Sequence, residues 1–439
     1  MIENSKLIKQ AQKNLKIETL NEMQETSLET CANNENIILL SPTGSGKTLG
    51  FLLPVLSRLE KNKPDVQALI LVPSRELALQ IEQVFKKMAT GFKVNVCYGG
   101  HSITIEKNNL SEAPAVLVGT PGRIADHIRR GHFDHRFIQT LVLDEFDKSL
   151  ELGFQKEMSF IIKQLKRLKK RILTSATHMD DIPPFTGISK PAEINFLEEE
   201  LEGLSLRAVV ADGHDKLDTL YKLICKLGNE STLVFCNHRD AVERISGLLK
   251  DKGLSHDTFH GGMEQDDRER ALLKFRNGSH HMLITTDLAS RGLDIPEIKY
   301  VVHYQSPSVE PPFIHRNGRT ARMNAEGKAY LVLGANEKLP SYLEEYPETE
   351  ELSDNYELPQ KPEWATLYFG LGKKDKINKI DIVGLLLQKG ELEKDDLGLI
   401  EVKDRMAFAA VKRAKVSKTL KLIQKETIKR KKVKVAISK

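Results

Sequence analysis

Short apolar runs alternate with amphipathic stretches along most of this chain. Between residues 36 and 200 the runs are Ile37–Leu40, Ala68–Val72, Val94–Tyr98, Ala115–Val118, Leu141–Leu143 and Arg171–Leu173. They are short and apolar at successive positions, so they predict strands buried on both faces. The stretches between them predict helices that cover a parallel sheet. Residues 1–35 come first with a helical period, placing Leu7, Ile8, Ala11 and Leu15 on one stripe. The style repeats over 206–340, with runs at Leu206–Val210, Thr232–Phe235, Met282–Ile284, Tyr300–His303 and Ala329–Leu333. Two α/β domains are expected, at 1–200 and 201–340.

The acidic, proline-containing stretch 341–363 reads as a linker. Residues 364–439 then give strand Thr366–Gly370, helix Ile377–Lys389, strands Leu399–Val402 and Met406–Val411, helix Ser417–Glu426 and strand Val433–Ile437. That βαββαβ order is the split arrangement many single-strand RNA binders use.

Five of the first domain's strands run straight into polar clusters: Ser41–Thr48, Pro73-Ser74-Arg75-Glu76, Gly119-Thr120-Pro121-Gly122-Arg123, Asp144-Glu145-Phe146-Asp147 and Thr174-Ser175-Ala176-Thr177. Ligands of open α/β sheets bind at the carboxyl ends of the strands. The five clusters therefore predict one active face.

Composition changes this picture little. Over 439 residues the net charge is +5, too mild to demand a polyanionic partner. Its distribution says more, because Ala410–Lys439 holds twelve Lys and Arg against one acid, Glu426. That end is a candidate nucleic-acid surface, with a solubilising tail as the alternative. Cys31, Cys97, Cys225 and Cys236 form no paired motif, so neither a disulfide framework nor a zinc site is expected, and buried thiols in a reducing compartment are. The first residues lack a signal-peptide core and no apolar run approaches membrane-spanning length. A cytoplasmic protein without a membrane partner is expected by default.

The chemistry begins at Ser41-Pro42-Thr43-Gly44-Ser45-Gly46-Lys47-Thr48. A glycine-rich turn between strand and helix aims backbone N–H groups, at the positive end of a helix dipole, into one concavity that fits a polyphosphate. Lys47 would reach the outer phosphates and the Thr48 hydroxyl would hold Mg²⁺. The strict pattern starts with Gly where this chain has Ser41. A flexible loop with a chance lysine is the plainer reading, which the flanking strand and helix disfavour. Asp144, at a later strand end, can hold the same metal, and Glu145 can orient and deprotonate water. Arg316, Arg319 and Arg322 lie in His315–Arg322 and suit polyphosphate contact, Arg319 and Arg322 sharing a face if the segment is helical.

Taken together, these motifs resemble the DEAD-box ATP-dependent RNA helicases. Pro73-Ser74-Arg75-Glu76-Leu77, Gly99-Gly100, Thr120-Pro121-Gly122-Arg123 and Ser175-Ala176-Thr177 match in order. So do Leu233-Val234-Phe235, His260-Gly261-Gly262, Gln265-x-x-Arg268 and Thr286–Asp294 in the second domain. The resemblance implies two RecA-like domains that hydrolyse ATP and remodel RNA. It implies that Gln24 reads adenine and that Thr43, Gly44, Ser45, Gly46, Lys47 and Thr48 hold the phosphates. Asp294 would hold the ribose, Arg319 and Arg322 the γ-phosphate. Pro73, Ser74, Arg75, Gly100, Thr120, Arg123 and Thr286 would line the RNA backbone. Ser175 and Thr177 would couple hydrolysis to strand separation. An ATP-gated RNA clamp and a DNA-directed relative of the same superfamily remain the alternatives.

Four departures stand out. Met1–Met23 contains no aromatic residue, although the family places one upstream of the glutamine. Phe146 replaces Ala, Ala321 replaces Gly, and Leu20 stands where proline is common. The tail, through Leu367–Ile377 and Asp381–Gly384, resembles the RNA-binding domain of DbpA-like helicases. That likeness implies a role on 23S ribosomal RNA in large-subunit assembly; separately, a monomer is expected.

Overall fold

The computed structural model describes all residues except 1, 43, 101, 180, 198–203, 214, 291–297, 321–326 and 439. The chain divides into two compact units, one of Met1–Gly203 with Ser290–Asp294 and Pro311–Ala325, the other of Leu204–Ala289, Ile295–Glu310 and Glu326–Lys439.

In the first unit, α1 (Ile2–Leu15) and α2 (Glu22–Asn33) lead into β1 (Asn36–Leu40) and α3 (Lys47–Leu56). Next come β2 (Ala68–Leu71), α4 (Arg75–Met88), β3 (Val94–Cys97), α5 (Ile103–Leu110), β4 (Val116–Gly119) and α6 (Pro121–Arg129). The unit continues with β5 (Thr140–Leu143), α7 (Phe146–Glu151), α8 (Gln155–Gln164), β6 (Lys170–Ser175) and β7 (Ala192–Asn195). The sheet is parallel, in the order β3-β4-β2-β5-β6-β1-β7.

The apolar runs serve two cores at once. In β1, Ile37 and Leu39 join one core while Ile38 and Leu40 join the other; in β2, Ala68 and Ile70 oppose Leu69 and Leu71 in the same way. Strand side chains alternate sides, so a sheet covered on both faces needs apolar residues at consecutive positions. Each such leucine or isoleucine contributes about 1.5–3 kcal/mol by burial. The strand β7 was not expected. It is an edge strand with a mixed burial pattern and carries no apolar run.

The second unit repeats the architecture with β8 (Leu204–Val210), α9 (Leu217–Leu227), β9 (Thr232–Phe235), α10 (Arg239–Asp251), β10 (Asp257–Phe259), α11 (Gln265–Arg276), β11 (Met282–Thr285), β12 (Tyr300–His303) and β13 (Gly327–Leu333), and α12 (Glu310–Asn317) lies between the last two along the chain. All but the first residue of α12 packs within the first unit. The second sheet is also parallel, ordered β10-β11-β9-β12-β13-β8-β14, with β14 at Glu348–Thr349. That last strand falls within 341–363, the stretch read from the sequence as an acidic linker. Glu348–Thr349 pairs with Arg207–Ala208, Glu350 meets Lys226 at 2.6 Å, and Leu352 and Tyr356 pack on the core. Glu348 pairs with Arg207 of β8, and Glu350 and Asp354 pair with Lys226 and Lys222 of α9, a pattern invisible to composition.

Within the same unit the tail forms β15 (Trp364–Phe369), α13 (Lys379–Gln388), β16 (Leu397–Val402), β17 (Ala407–Lys412), α14 (Arg413–Ile423), a hairpin of β18 (Thr427–Ile428) and β19 (Lys431–Lys432), and β20 (Val435–Ile437). Its antiparallel sheet runs β16-β17-β15-β20, which is the expected βαββαβ fold with a small hairpin added. Leu367 and Phe369 face the tail's own core. On the opposite face Tyr368 and Phe408 pair edge to face at 5.7 Å. That same face is partly covered, because Thr366 Oγ1 accepts from Asn277 Nδ2 and meets Ser279 Oγ, both at 2.8 Å. Lys403 adds an ion pair to Glu269 at 3.2 Å.

Candidate active site

All strands of the first sheet are parallel, so their carboxyl ends share one edge, and the strand order sorts what that edge carries. The ends of β5, β6 and β1 bring Asp144-Glu145, Ser175–Thr177 and Ser41–Thr48 side by side, with Leu40 level with Ser175 and Leu143 level with Leu173. The ends of β2, β4 and β3 bring together Pro73-Ser74-Arg75, Thr120–Arg123 and Gly99-Gly100. One half of the edge holds the nucleotide candidates and the other half the RNA candidates.

The chain leaves β1 through Ser41 and enters α3 at Lys47. Gly46 caps that helix with φ +91°, and a Cβ there would lie 2.5 Å from Gln24 Nε2, so only glycine fits. Gly44 has φ +93°. Ser41 is buried and its hydroxyl donates to Ser45 Oγ at 2.6 Å, so the departure from Gly fastens the turn. Lys47 Nζ donates to the carbonyls of Ser41 and, at 2.7 Å, Pro42. Burial lowers its pKa to about 8, opposed by the charges of Asp144, Glu145 and Asp147. Thr48 sits in the first turn of α3; Thr43 lies outside the described residues.

Gln24 is buried in the first turn of α2. Its Oε1 accepts the Asn21 N–H at 3.2 Å in a capping box, and its Nε2 donates to Gly46 O at 3.3 Å. Asn21 Nδ2 adds a bond to Ser45 O at 2.8 Å. Gln24, expected to read adenine, braces the turn between β1 and α3.

Asp144 is buried and its Oδ1 accepts from Thr174 Oγ1. Burial raises its pKa, while Thr174 and then Lys47 pull it down. Glu145 adopts a left-handed backbone, φ +47° and ψ 53°, uncommon for a non-glycine residue, and donates its N–H to Thr174 Oγ1 at 3.3 Å. Phe146 needs no space at the acids. It turns into the core at 0% exposure, with the Phe185 ring 6.2 Å away. Ser175 Oγ accepts the Thr177 N–H at 3.1 Å, and Thr177 Oγ1 donates to Asp147 Oδ2 at 3.1 Å.

The late segment of the first unit supplies the cations. Arg319 is buried, donates from Nε to Ser290 O at 2.7 Å, and lies close enough to Lys47 to depress its pKa further. His315 Nε2 reaches Asp147 Oδ2 at 3.2 Å. Asp294, Ala321 and Arg322 lie outside the described residues.

On the other half of the edge, a Cβ on Gly100 would fall 2.4 Å from Arg75 Nη1, so that guanidinium lies over the glycine turn. Ser74 caps α4, its hydroxyl accepting the Leu77 N–H at 3.2 Å. The Thr120 N–H bonds Cys97 O at 3.1 Å. Arg123 Nη1 bonds Glu106 Oε2 at 3.2 Å. Thr286 belongs to the second unit, immediately after β11. The sequence had not singled out Thr174, Asp147 or Glu106 as site residues. Thr174 and Asp147 stood in clusters already noted, whereas Glu106 has no motif around it.

Paired acids at one strand end, a glycine-rich turn bearing Lys47 at another and a buried arginine beside them are an arrangement that suits an α/β nucleoside triphosphatase. The comparisons narrow that class. The DEAD/DEAH box helicase family matches residues 21–183, the helicase conserved C-terminal domain 215–324, and the DbpA RNA binding domain 366–437. The chain is similar to the ATP-dependent RNA helicase DbpA of Bacillus subtilis (strain 168), at 32% identity over 94% of this chain and 93% of that protein. It is 29% identical to the ATP-dependent RNA helicase DbpA of Escherichia coli (strain K12), over 96% and 95%. Among solved structures, S. cerevisiae Dbp5 bound to RNA and ADP BeF3 aligns with TM-score 0.67 and 27% identity, covering 75% of this chain and 88% of that one. The chain belongs to the DEAD-box ATP-dependent RNA helicases and carries a DbpA-type RNA-binding domain. It hydrolyses ATP and acts on RNA as a helicase.

Proposed function

We propose that the nucleotide half of the edge binds Mg²⁺–ATP and that the other half holds the RNA backbone. The proximity of Asp144, Glu145 and Arg319 to Lys47 carries this reading, since the charges of all three act on that lysine. Lys47 would exchange its loop carbonyls for the outer phosphate oxygens. Glu145 would take the proton of the attacking water, while Arg319 and Arg322 neutralise charge on the leaving phosphoryl oxygens. The Thr48 hydroxyl and the buried Asp144 carboxylate are oxygen donors of the kind Mg²⁺ takes, and the ion would neutralise phosphate charge there. Gln24 would read adenine and Asp294 the ribose. Ser175 and Thr177, through Asp147, would transmit the nucleotide state.

Pro73, Ser74, Arg75, Gly100, Thr120, Arg123 and Thr286 would hold phosphates and 2′-hydroxyls, contacts with little sequence information. ATP and RNA favour the same conformer, so each tightens the other. Address would come from the tail. We assign it to structured ribosomal RNA, 23S in particular, on the strength of its DbpA-type domain and of exposed lysines such as Lys431, Lys432 and Lys434. The working form in this reading is a cytoplasmic monomer that takes part in ribosome biogenesis.

Two measurements test this. Lys47→Ala should abolish ATP hydrolysis, and retained RNA-stimulated turnover would overturn the phosphate-loop assignment. ATPase stimulation by 23S fragments, unrelated RNA and DNA should fall in that order, with the first preference lost when 364–439 is deleted. Equal stimulation by all three would remove the ribosomal reading.

A further inference from the structure

Glu106, in α5, lies in no recognised motif, yet its carboxylate is 1% exposed and sits between the two turns assigned to RNA. Oε1 accepts the N–H of Tyr98, the residue before Gly99-Gly100, at 3.1 Å. Oε2 accepts Arg123 Nη1 at 3.2 Å and meets His127 Nε2 at 2.8 Å. His127 is fully buried, and its Nδ1 meets His132 Nδ1 at 2.9 Å, which fixes the ring. A buried carboxylate is costly unless both oxygens are paired, and here both are. Cys97 Sγ completes a group whose ligand atoms lie within 4.8 Å of one another. Burial and then Glu106 push that thiol's pKa up, and N–H groups already occupy the carboxylate, so the group reads as a hydrogen-bonded network and not as a cation cage.

We propose that Glu106 is a positioning residue for RNA binding: it sets the Arg123 guanidinium and the Gly99-Gly100 turn at a fixed spacing before RNA arrives. The inference rests on the reading that Arg123 touches RNA. A guanidinium has five N–H donors and a side chain with roughly 2 kcal/mol of rotamer entropy. Glu106 uses Nη1 as an anchor, which orients the plane of the fork, and the Arg123 side chain keeps 14% of its surface exposed. Ordering is thereby completed before binding, the general advantage of a preorganised contact. The Tyr98 bond extends the same control to the turn that Arg75 overlies.

The test uses the full chain and a single-stranded uridine oligomer. Glu106→Gln preserves size and an acceptor for the Tyr98 amide but gives up the charge that holds Arg123. It should raise the RNA concentration for half-maximal ATPase stimulation by up to about tenfold, the scale of ordering one rotamer-rich side chain on binding. ATP affinity without RNA and kcat at saturating RNA should stay unchanged. Arg123→Ala should give a similar rise, and adding Glu106→Gln to it should cost little more. Glu106→Asp, which retains the charge but withdraws it by one methylene, should fall between. Additive losses in the double variant, an unmoved half-saturating RNA concentration in Glu106→Gln, or a matching fall in RNA-free ATP affinity would each overturn the proposal. If Arg123→Ala alone leaves RNA affinity intact, the assignment of Arg123 to RNA fails, and that result is distinguishable from the others.

Discussion

Thr174→Val isolates one hydrogen-bonded atom beneath the paired acids Asp144 and Glu145. Thr174 is fully buried, and its hydroxyl donates to Asp144 Oδ1 while accepting the Glu145 N–H at 3.3 Å. Valine matches its shape, so packing is preserved and only the hydroxyl is lost. A hydrogen bond to a charged group contributes about 1.5–3 kcal/mol. Burial already raises the Asp144 pKa, and Thr174 is its largest counterweight. Removing it moves Asp144 further toward the protonated form, which in its proposed role would weaken its hold on Mg²⁺. We expect kcat/KM for ATP, measured at saturating RNA, to fall about tenfold at neutral pH, equivalent to about 1.4 kcal/mol. The loss should deepen in acid and shrink as pH rises, because the acid limb of the profile moves upward. Thr174→Ser retains the hydroxyl and should restore most of the activity. A Thr174→Val profile that superimposes on the parent's, or a Thr174→Ser variant as impaired as the valine, would refute the argument.

Glu145→Gln should still bind ATP and RNA but not turn over, and loss of nucleotide binding in a fluorescent-analogue titration would count against its role as base. Gly100→Ala combines a Cβ 2.4 Å from Arg75 Nη1 with φ +82°, so it should weaken RNA stimulation severalfold while sparing RNA-free ATP affinity. His256 is buried between Ser246 Oγ and Leu254 O, and burial, then repulsion from Lys250, lowers its pKa from 6.5 to about 4. Below pH 6.5 the unfolded chain takes up a proton that the folded one refuses, so stability should be lost as pH falls toward about 4, by up to roughly 3 kcal/mol. Urea unfolding of the parent and of His256→Gln at pH 7 and pH 5 reads this difference directly, and parallel losses in the two would exclude His256 as the source.

Much of this protein was legible one residue at a time. Apolar residues at consecutive positions can be satisfied only by a sheet covered on both faces, so Ile37–Leu40 and Ala68–Leu71 announced the parallel α/β architecture. Gly46 is required by backbone conformation, and Lys47, Asp144 and Glu145 by charge at strand ends, all of which are local properties. What remained hidden was partnership between distant positions. Strand order decided that β5, β6 and β1 would be neighbours on one half of the edge and β2, β4 and β3 on the other, and no local pattern encodes that order. The stretch 341–363 reads as an acidic linker by composition, which says nothing of the pairing between Glu350 and Lys226. Thr174 and Glu106 look ordinary in sequence, because a buried hydroxyl or carboxylate acquires its role only from what the packed chain places against it. Chemistry and secondary structure were set by residue type and spacing, and the distances that turn those residues into a site were set by the tertiary fold.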